Sequence, residues 1–233
     1  MNNTERRYGG YNLDKHETSG LLCQMIPKGS RVLDVGCGDG SLALMMVEHR
    51  NASVIGLEPD KYRASLANEN GIHTLQSELN SSLADEIGKF DVVLFADVLE
   101  HLPKSESVLR DAQDFLAPGG FVLLSVPNVA HLSMRINLLK GNFDYTTVGI
   151  MDSTHLRWFT KKTLFNLLET TGYKILESYS SAGLWDPYYK FRRPWRWIKR
   201  SWTIRFVLWG VAHYPNLFGY QNIIKAEPHC YKR

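Results

Sequence analysis

The stretch from Arg31 to Gly40 limits the possible folds of this chain more than any other part of the sequence. It starts with an apolar run that predicts a buried strand, and it continues with three glycines at alternate positions. Glycine lets the backbone turn sharply and approach a ligand with no Cβ in the way. A helix is predicted from Ser41 to about His49, and amides at a helix N-terminus favour a nucleotide-like or carboxylate-bearing ligand. The three glycines are Gly36, Gly38 and Gly40.

A second predicted strand begins at Asn51 and ends at Glu58, which stands 24 residues after Asp34. An acid at about this distance binds the ribose in nucleotide-binding βαβ units. Glu58 at this position therefore favours a nucleotide site. The glycines alone would also fit a tight turn that binds no ligand. The spacing G-x-G-x-G also differs from that of dinucleotide sites. Asp39 within the turn would repel a pyrophosphate, whereas it would attract a sulfonium or an ammonium.

The rest of the sequence alternates apolar runs with helical periodicity, which predicts a parallel, doubly wound α/β sheet. The predicted strand from Phe90 to Phe95 is apolar at every position except Asp91, as expected for a strand that is buried on both faces. With 233 residues, 44% of them hydrophobic, the chain is long enough for one domain with a full core. The other predicted strands are Ile72–Gln76, Phe121–Val126, Tyr173–Ser180 and Phe218–Ala226, and the other predicted helices are Leu13–Ile26, Asp60–Asn70, Ser105–Leu116 and Lys161–Thr171.

Three motifs together resemble those of class I S-adenosylmethionine-dependent methyltransferases, and the resemblance covers roughly residues 15–180. They are Val-Leu-Asp-Val-Gly-Cys-Gly-Asp-Gly at 32–40, Gly-Leu-Glu-Pro-Asp at 56–60, and Phe-Asp-Val-Val-Leu-Phe-Ala-Asp-Val-Leu-Glu-His-Leu at 90–102. The resemblance implies a seven-stranded, mostly parallel sheet in which the last strand is inserted antiparallel between strands five and six. It also implies S-adenosylmethionine as the cofactor and S-adenosylhomocysteine as the product.

The resemblance and the chemistry of methyl transfer together assign a role to each predicted cofactor residue. The glycines give backbone access, and Glu58 would hold the ribose hydroxyls. Asp34 and Asp39 would meet the amino-acid end, although Asp34 could instead cap the loop amides. Asp97 would lie near the methionine portion and Glu78 near the adenine amine. The predicted cofactor-binding residues are Asp34, Gly36, Cys37, Gly38, Asp39, Gly40, Glu58, Pro59, Glu78, Ala96, Asp97 and His101.

The segment 127–160 mixes His, Asp, Arg and aromatic residues, which is a typical composition for a pocket wall. Its Asp-Ser-Thr-His-Leu-Arg-Trp-Phe-Thr resembles a methyltransferase subgroup that in bacteria often serves surface-glycan or lipid biosynthesis. If the acceptor is a hydroxyl, a base is useful, and His155 and His131 are the candidates because imidazole titrates near neutral pH. The residues predicted to contact the acceptor are Tyr145, Arg157 and Asn128.

Two of these roles have an alternative. Arg157 could orient an anionic acceptor, or it could pair with Asp152. Glu100 and His101 face the same way as Asp97 on a helical turn, and His155 could complete a metal site with them. Some relatives hold a divalent ion in this way and many do not. The expectation is therefore no metal, with Glu100 and His101 hydrogen-bonding adjacent loops.

The segment 182–216 is a basic, aromatic insertion before the last predicted strand. The net charge of the chain is +3, but residues 186–205 contain seven Lys or Arg and one Asp, so the remainder carries −3. The insertion could be a lid over the acceptor pocket, a membrane-surface helix formed by residues 190–209, or a nucleic-acid surface. The last is disfavoured because no RNA-binding motif accompanies it. Aromatic and aliphatic residues at helical spacing are Trp195, Ile198, Trp202, Phe206 and Trp209.

These features predict one domain over residues 1–233, with a flexible segment at 1–12. No secretory signal is evident, no run of eighteen apolar residues occurs, and three cysteines fit neither a disulfide framework nor a zinc site. We therefore expect a cytoplasmic protein, located either free or at the inner face of the membrane. The predicted function is O-methylation of a small or lipid-linked acceptor, such as a sugar or quinone-like hydroxyl. The alternatives are a non-catalytic binding protein with the same fold and, third, a dehydrogenase.

Overall fold

The computed structural model describes residues 13–184 and 197–229. The predicted flexible segment 1–12 lies outside this range, as do Trp185 and Trp195 of the insertion. The helices are α1 Thr18–Met25, α2 Ser41–Arg50, α3 Lys61–Glu69, α4 Ala84–Ile87, α5 Ser105–Asp111, α6 Leu132–Leu139, α7 Lys161–Thr170, α8 Arg200–His213 and α9 Pro215–Phe218. The strands are β1 Arg31–Val35, β2 Ser53–Leu57, β3 Thr74–Leu75, β4 Phe90–Ala96, β5 Leu116–Pro127, β6 Tyr173–Ser180 and β7 Gln221–Pro228.

The seven strands form one sheet in the order β3-β2-β1-β4-β5-β7-β6. The first five strands pair in parallel, because a helix or a helical turn crosses over between consecutive strands. β7 is antiparallel to both β5 and β6, between which it lies. The doubly wound α/β prediction and the antiparallel last strand between strands five and six are both confirmed.

Alternate residues of the central strands pack into two separate cores, one on each face of the sheet. On β1, Leu33 belongs to one cluster and Val32 to the other; on β4, Phe95 and Leu94 divide in the same way. All four side chains are fully buried. This is the two-residue period of a strand whose two faces are both covered, which explains why the run 92–95 is continuously apolar, whereas Asp91 is exposed.

Several element boundaries differ from the prediction. α1 begins at Thr18, five residues later than predicted, and α5 ends at Asp111, after which a 3₁₀ turn covers 112–115. β3 is limited to Thr74–Leu75, within the predicted Ile72–Gln76. β5 begins at Leu116, five residues early, because Leu116 pairs with Phe90 and Pro118–Gly120 lies within a register shift of this pair of strands. β7 begins at Gln221, and α6 was not predicted at all. In the described part of the chain, no helix is long and apolar enough to cross a membrane.

Candidate functional site

The predicted site residues after β1, β2 and β4 lie at one edge of the sheet. Val35 is in register with Leu57 on one side and with Phe95 on the other, so the three strands end side by side. Ligands of open α/β sheets bind at such carboxyl edges, where neighbouring crossovers diverge. The loops that start at 36, 58 and 97 are therefore brought together, as predicted.

The glycine turn after β1 depends on glycine for two different reasons. All three glycines have positive φ, at 72°, 59° and 77° for Gly36, Gly38 and Gly40, a region that residues with a Cβ rarely adopt. Gly36 also packs closely, since a Cβ there would lie 2.9 Å from a methyl of Val98. At Gly38, a Cβ would meet no atom within 4 Å. The turn therefore packs against Val98 at Gly36, whereas the space beside Gly38 is free and is available to a ligand.

Glu58 fixes the shape of this turn. Its carboxylate is buried and accepts a hydrogen bond from the Gly38 amide at 2.9 Å through Oε2 and another from the Asp60 amide at 3.0 Å through Oε1. Asp39 lies within the turn and accepts from the Ser41 amide at 3.0 Å, which caps the start of α2. Each carboxylate oxygen of Glu58 keeps acceptor capacity beyond its one bond to the backbone.

Asp34 lies fully buried below the turn. Burial and, to a smaller extent, the neighbouring Glu58 carboxylate raise the pKa of Asp34 to about 7. Its Oδ2 has no hydrogen-bond partner among the residues that the structure describes, so the loop-capping alternative is not supported for this oxygen. Cys37 points away from the turn toward Thr74, with Sγ 3.7 Å from Oγ1, and burial raises the pKa of its thiol to about 12. Cys37 can therefore contribute only its backbone to a ligand.

We expect the Asp34 carboxyl to make the protein without ligand less stable as the pH rises. The unfolded chain releases this proton near pH 4 and the folded chain near pH 7, so stability present below pH 4 is lost through that interval. The free energy of unfolding in urea should fall between pH 4.5 and pH 7.5. In Asp34→Asn this fall should be smaller by roughly 2 kcal/mol or more. The exposed Asp85→Asn on α4 is the matched control; an equal change in both variants would contradict the expectation.

Asp97, directly after β4, adopts a left-handed backbone conformation with φ +56°. Its Oδ1 accepts from the Ser125 hydroxyl at 3.0 Å, and the Gln221 amide donates to Oδ1 at 2.9 Å and to Oδ2 at 3.0 Å. Burial raises the pKa of Asp97 to about 6, and both donors oppose that rise. The last strand of the sheet therefore positions an acid of the site, because β7 begins at the edge where β4 ends.

Gln221→Leu should destabilise the protein, because it removes both amide hydrogen bonds from the Asp97 carboxylate. A buried charged acceptor that loses its donor costs about 1–3 kcal/mol. The free energy of unfolding in urea measures the loss, and Gln76→Leu, at an exposed position, is the control. Equal stability of both variants would show that the Gln221 hydrogen bonds to Asp97 do not stabilise the folded protein.

Three residues that the sequence analysis considered together form a compact group beside this edge. Glu100 and His155 are almost fully buried, and the rings of His101 and His155 lie edge to face with centroids 4.8 Å apart. His155 Nδ1 lies 3.0 Å from the Ile150 carbonyl, which can only accept, so Nδ1 bears the proton and Nε2 is unprotonated. Nε2 lies 4.0 Å from Glu100 Oε1, and burial lowers the pKa of His155.

The same group could hold a metal ion. Glu100, His101 and His155 each offer one ligand atom, and these atoms lie within 4.8 Å of one another. Burial raises the pKa of Glu100 well above its usual value, with Asp97 and Asp152 adding to the rise, and neither carboxylate oxygen has a hydrogen-bond partner among the described residues. His101 contacts the adjacent loop as expected, with Nδ1 3.2 Å from the Thr154 carbonyl, but Glu100 does so only through its backbone carbonyl. Carboxylate and imidazole together suit Zn²⁺, Mn²⁺ or Fe²⁺.

Three predicted pocket residues have protein partners instead. Arg157 pairs with Glu106 at 2.9 Å, so the alternative pairing with Asp152 was wrong. Asn128 is buried; its amide donates to the Gly219 carbonyl at 2.8 Å and its Oδ1 accepts from Ala130. His131 is buried at the start of α6, where Nδ1 contacts Ser133, and burial lowers its pKa to about 4. We therefore retain His155 as the candidate base.

The remaining predicted residues lie at the surface or at the rim of the site. Tyr145 is 55% exposed, within an aromatic group that includes Phe143 and Trp158. Glu78 and Pro59 are exposed and Ala96 is half-buried, so each remains a predicted contact. The sequence analysis missed Ser125 and Gln221; no local pattern marks Gln221, because its partner Asp97 is 124 residues away in the sequence.

Comparisons with known proteins agree with this geometry. A family model described as a methyltransferase domain matches residues 10–178. The ubiquinone biosynthesis O-methyltransferase of Vibrio parahaemolyticus is 37% identical over 106 residues, which is 43% of this chain and 45% of that protein. The chain thus matches less than half the length of that curated relative.

Solved structures show the same fold at low identity. A SAM-dependent methyltransferase from Archaeoglobus fulgidus has a TM-score of 0.58 at 18% identity, covering 90% of this chain and 95% of that one. A Burkholderia thailandensis 1,6-didemethyltoxoflavin-N1-methyltransferase, solved with S-adenosylhomocysteine, has a TM-score of 0.54 at 17% identity, covering 91% and 76%. Because the family model matches well over half of its residues, the chain belongs to the methyltransferase domain family.

Proposed function

We propose that the chain binds S-adenosylmethionine at the carboxyl edge of its sheet and transfers the methyl group to a hydroxyl acceptor. The observation that carries this proposal is the pair of buried acids, Asp34 and Glu58, around a glycine turn that is open at Gly38. A buried carboxylate oxygen without a hydrogen-bond partner is costly unless a cation or a donor compensates it. Asp34 Oδ2 has this property within the described structure, so the residues fit a ligand with sulfonium and ammonium groups.

When bound, S-adenosylmethionine supplies a methyl group on a sulfonium, an excellent leaving group that an acceptor oxygen displaces in line. The residues of the chain bind and orient the methyl donor and the acceptor, and one of them accepts a proton. Glu58 would accept hydrogen bonds from the ribose hydroxyls with the acceptor capacity that its backbone bonds leave. Holding donor and acceptor collinear contributes up to ~7–11 kcal/mol in good intramolecular systems. His155 Nε2, unprotonated and buried beside Glu100, would take the acceptor proton, an effect of roughly 10²–10⁴-fold.

The proposed acceptor is a quinone-like or lipid-linked hydroxyl. Its support is the similarity, over part of the chain, to a protein named for ubiquinone biosynthesis and for O-methylation. Membership of the surface-glycan or lipid subgroup, suggested by Asp152–Thr160, points to the same class of acceptor. Such acceptors are held in or at a membrane, so we also propose that the chain works at its inner face, with residues 190–209 as the contact region.

Transfer of labelled methyl across a panel of acceptors tests the proposal. The panel should include catechols and hydroquinones with short isoprenoid tails, sugar nucleotides, and a primary amine as a control for N-methylation. Label in a hydroxyl acceptor supports the proposal, and label only in the amine contradicts it. Binding of S-adenosylhomocysteine without transfer to any acceptor would favour the non-catalytic alternative, and binding of a nicotinamide cofactor instead would favour a dehydrogenase.

A further inference from the structure

Helix α8 has a buried inner face and, about 100° around the helix from it, an exposed aromatic face, which is called its outer face here. Its inner face, Val207 above all, packs on Ala182 and Leu184, which precede the segment outside the described range. Gly210 allows close packing on α9, since a Cβ there would lie 2.6 Å from the Phe218 ring. The Leu184 amide also donates to Glu17 at 2.9 Å, which joins this region to the loop before α1. The inner face of α8 therefore packs on the rest of the domain.

The outer face of α8 presents three large aromatic side chains to solvent. Trp202, Phe206 and Trp209 are spaced by four and then three residues, which places them on one side of a helix. They are 65%, 44% and 48% exposed. Trp209 stacks on His213 at 5.0 Å and lies 6.0 Å from Phe206, so the rings form one continuous surface. Trp197, just before the helix, is 65% exposed as well.

The stretch of sequence that contains α8 is rich in cations and contains no acid. From Pro187 to Ala226 the sequence contains no Asp or Glu. Within α8, the Arg205 guanidinium lies 5.9 Å from the centre of the Trp202 ring, at the margin of the aromatic face. The Lys and Arg residues between these limits are Lys190, Arg192, Arg193, Arg196, Lys199, Arg200, Arg205 and Lys225.

We propose that the outer face of α8 binds the surface of an anionic lipid bilayer. Large exposed apolar patches mark interaction surfaces. Trp is favoured at the headgroup level, where its ring is buried and its N–H remains hydrated. Lys and Arg residues held near an anionic leaflet are attracted to it electrostatically. An aromatic centre with cations at its margin has both requirements of an interfacial helix.

A lipid surface fits these observations better than RNA or a second copy of the chain. RNA-binding sites interleave cations with stacking rings, whereas here the centre of the face is uncharged and aromatic. A second copy would bring its own cations against those of the first, and like charges in contact weaken an interface. The bilayer is the partner that supplies both an apolar layer and negative charge.

A short chain of contacts connects the outer face of α8 with the candidate site. Phe206 contacts Phe218 of α9 at 5.5 Å between ring centroids. The next residue, Gly219, accepts a hydrogen bond from Asn128, and Gln221 donates to Asp97. Membrane contact would therefore bring the acceptor side of the sheet edge toward the bilayer. This part of the inference rests on the proposed function, because it assumes a membrane-held acceptor.

Sedimentation with lipid vesicles tests the proposal. The probes are vesicles of phosphatidylcholine alone and of phosphatidylcholine with phosphatidylglycerol, at low salt and at 0.5 M salt. We expect binding to the anionic vesicles only, weakened by salt, and a blue shift of tryptophan fluorescence on binding. Trp202→Ser with Trp209→Ser should weaken binding about tenfold or more. Arg205→Glu should weaken it several-fold, and Tyr62→Ser, which removes a 60% exposed aromatic from α3, should leave it unchanged.

Several results would overturn the proposal. They are no binding to anionic vesicles, equal binding to both vesicle types, or equal binding by the double Trp variant. Dimerisation that the double variant abolishes, or tight RNA binding that it abolishes, each without vesicle binding, would assign the face to those partners. Every variant should bind S-adenosylhomocysteine like the parent, and no methyl transfer enters the measurement. Vesicle binding without transfer to any acceptor would therefore contradict the proposed function and leave the surface intact.

Discussion

Glu58→Ala should weaken the binding of S-adenosylhomocysteine about 100-fold or more, the loss expected for two hydrogen bonds to a charged group. The change removes the proposed partner of both ribose hydroxyls. It also removes the acceptor for the Gly38 and Asp60 amides, so the turn loses its support at the same time. Isothermal titration calorimetry measures the change in affinity.

Two further variants separate these contributions. Glu58→Gln keeps one carbonyl acceptor and nearly the same volume, so it should support the turn better than alanine and still bind the ribose poorly. Glu69→Ala removes an exposed acid from α3 and is the matched control for charge. Unchanged affinity in Glu58→Ala would remove Glu58 from the cofactor site.

His155→Ala should lower the rate of methyl transfer by about 10²–10⁴-fold, the range for loss of a general base. Binding of S-adenosylhomocysteine should change by no more than about two- to threefold, because the imidazole is assigned to the acceptor and not to the cofactor. The rate is measured with the best acceptor of the panel, under saturating cofactor. His49→Ala, which removes an exposed histidine of α2, is the control.

The same assay distinguishes proton transfer from metal binding at this residue. The group formed by Glu100, His101 and His155 could hold an ion, and loss of a ligand would also lower the rate. If the rate of the parent protein is the same with EDTA and with added Mg²⁺, Mn²⁺ or Zn²⁺, the loss in His155→Ala is one of proton transfer. A parent that loses its rate in EDTA would assign His155 to metal binding, and full activity of the variant would rule out both roles.

The parts of the fold that depend on local pattern could be predicted from the sequence. The strands β1 and β4 follow from short apolar runs, and the glycine turn follows from residues whose positive φ few other residue types adopt. The acid at the end of β2 follows from the length of a βαβ unit, which the geometry of the crossover restricts. The antiparallel last strand came from the resemblance, since no local pattern distinguishes the direction of a strand.

Contacts between distant segments could not be predicted. Arg157 had a nearby acid in the sequence at Asp152, yet its partner is Glu106, 51 residues away on α5. The aromatic residues at helical spacing were read as one apolar stripe, but a stripe does not tell which side packs on the protein. In α8 the smaller residues, Thr203, Val207 and Gly210, form the buried face; at Gly210 a Cβ would lie 2.6 Å from the Phe218 ring of α9.

The position of β7, second from one edge of the sheet, has a consequence for how the protein forms. This strand follows all the others in the chain but lies between two of them, so β5 and β6 have no shared neighbour until it has been synthesised. On the ribosome, the nascent chain would expose the unpaired edge of β5, a surface prone to association with other strands. Asp97 would also lack its two hydrogen bonds from the Gln221 amide until then. This carboxylate therefore reaches its final environment only after β7 has joined the sheet.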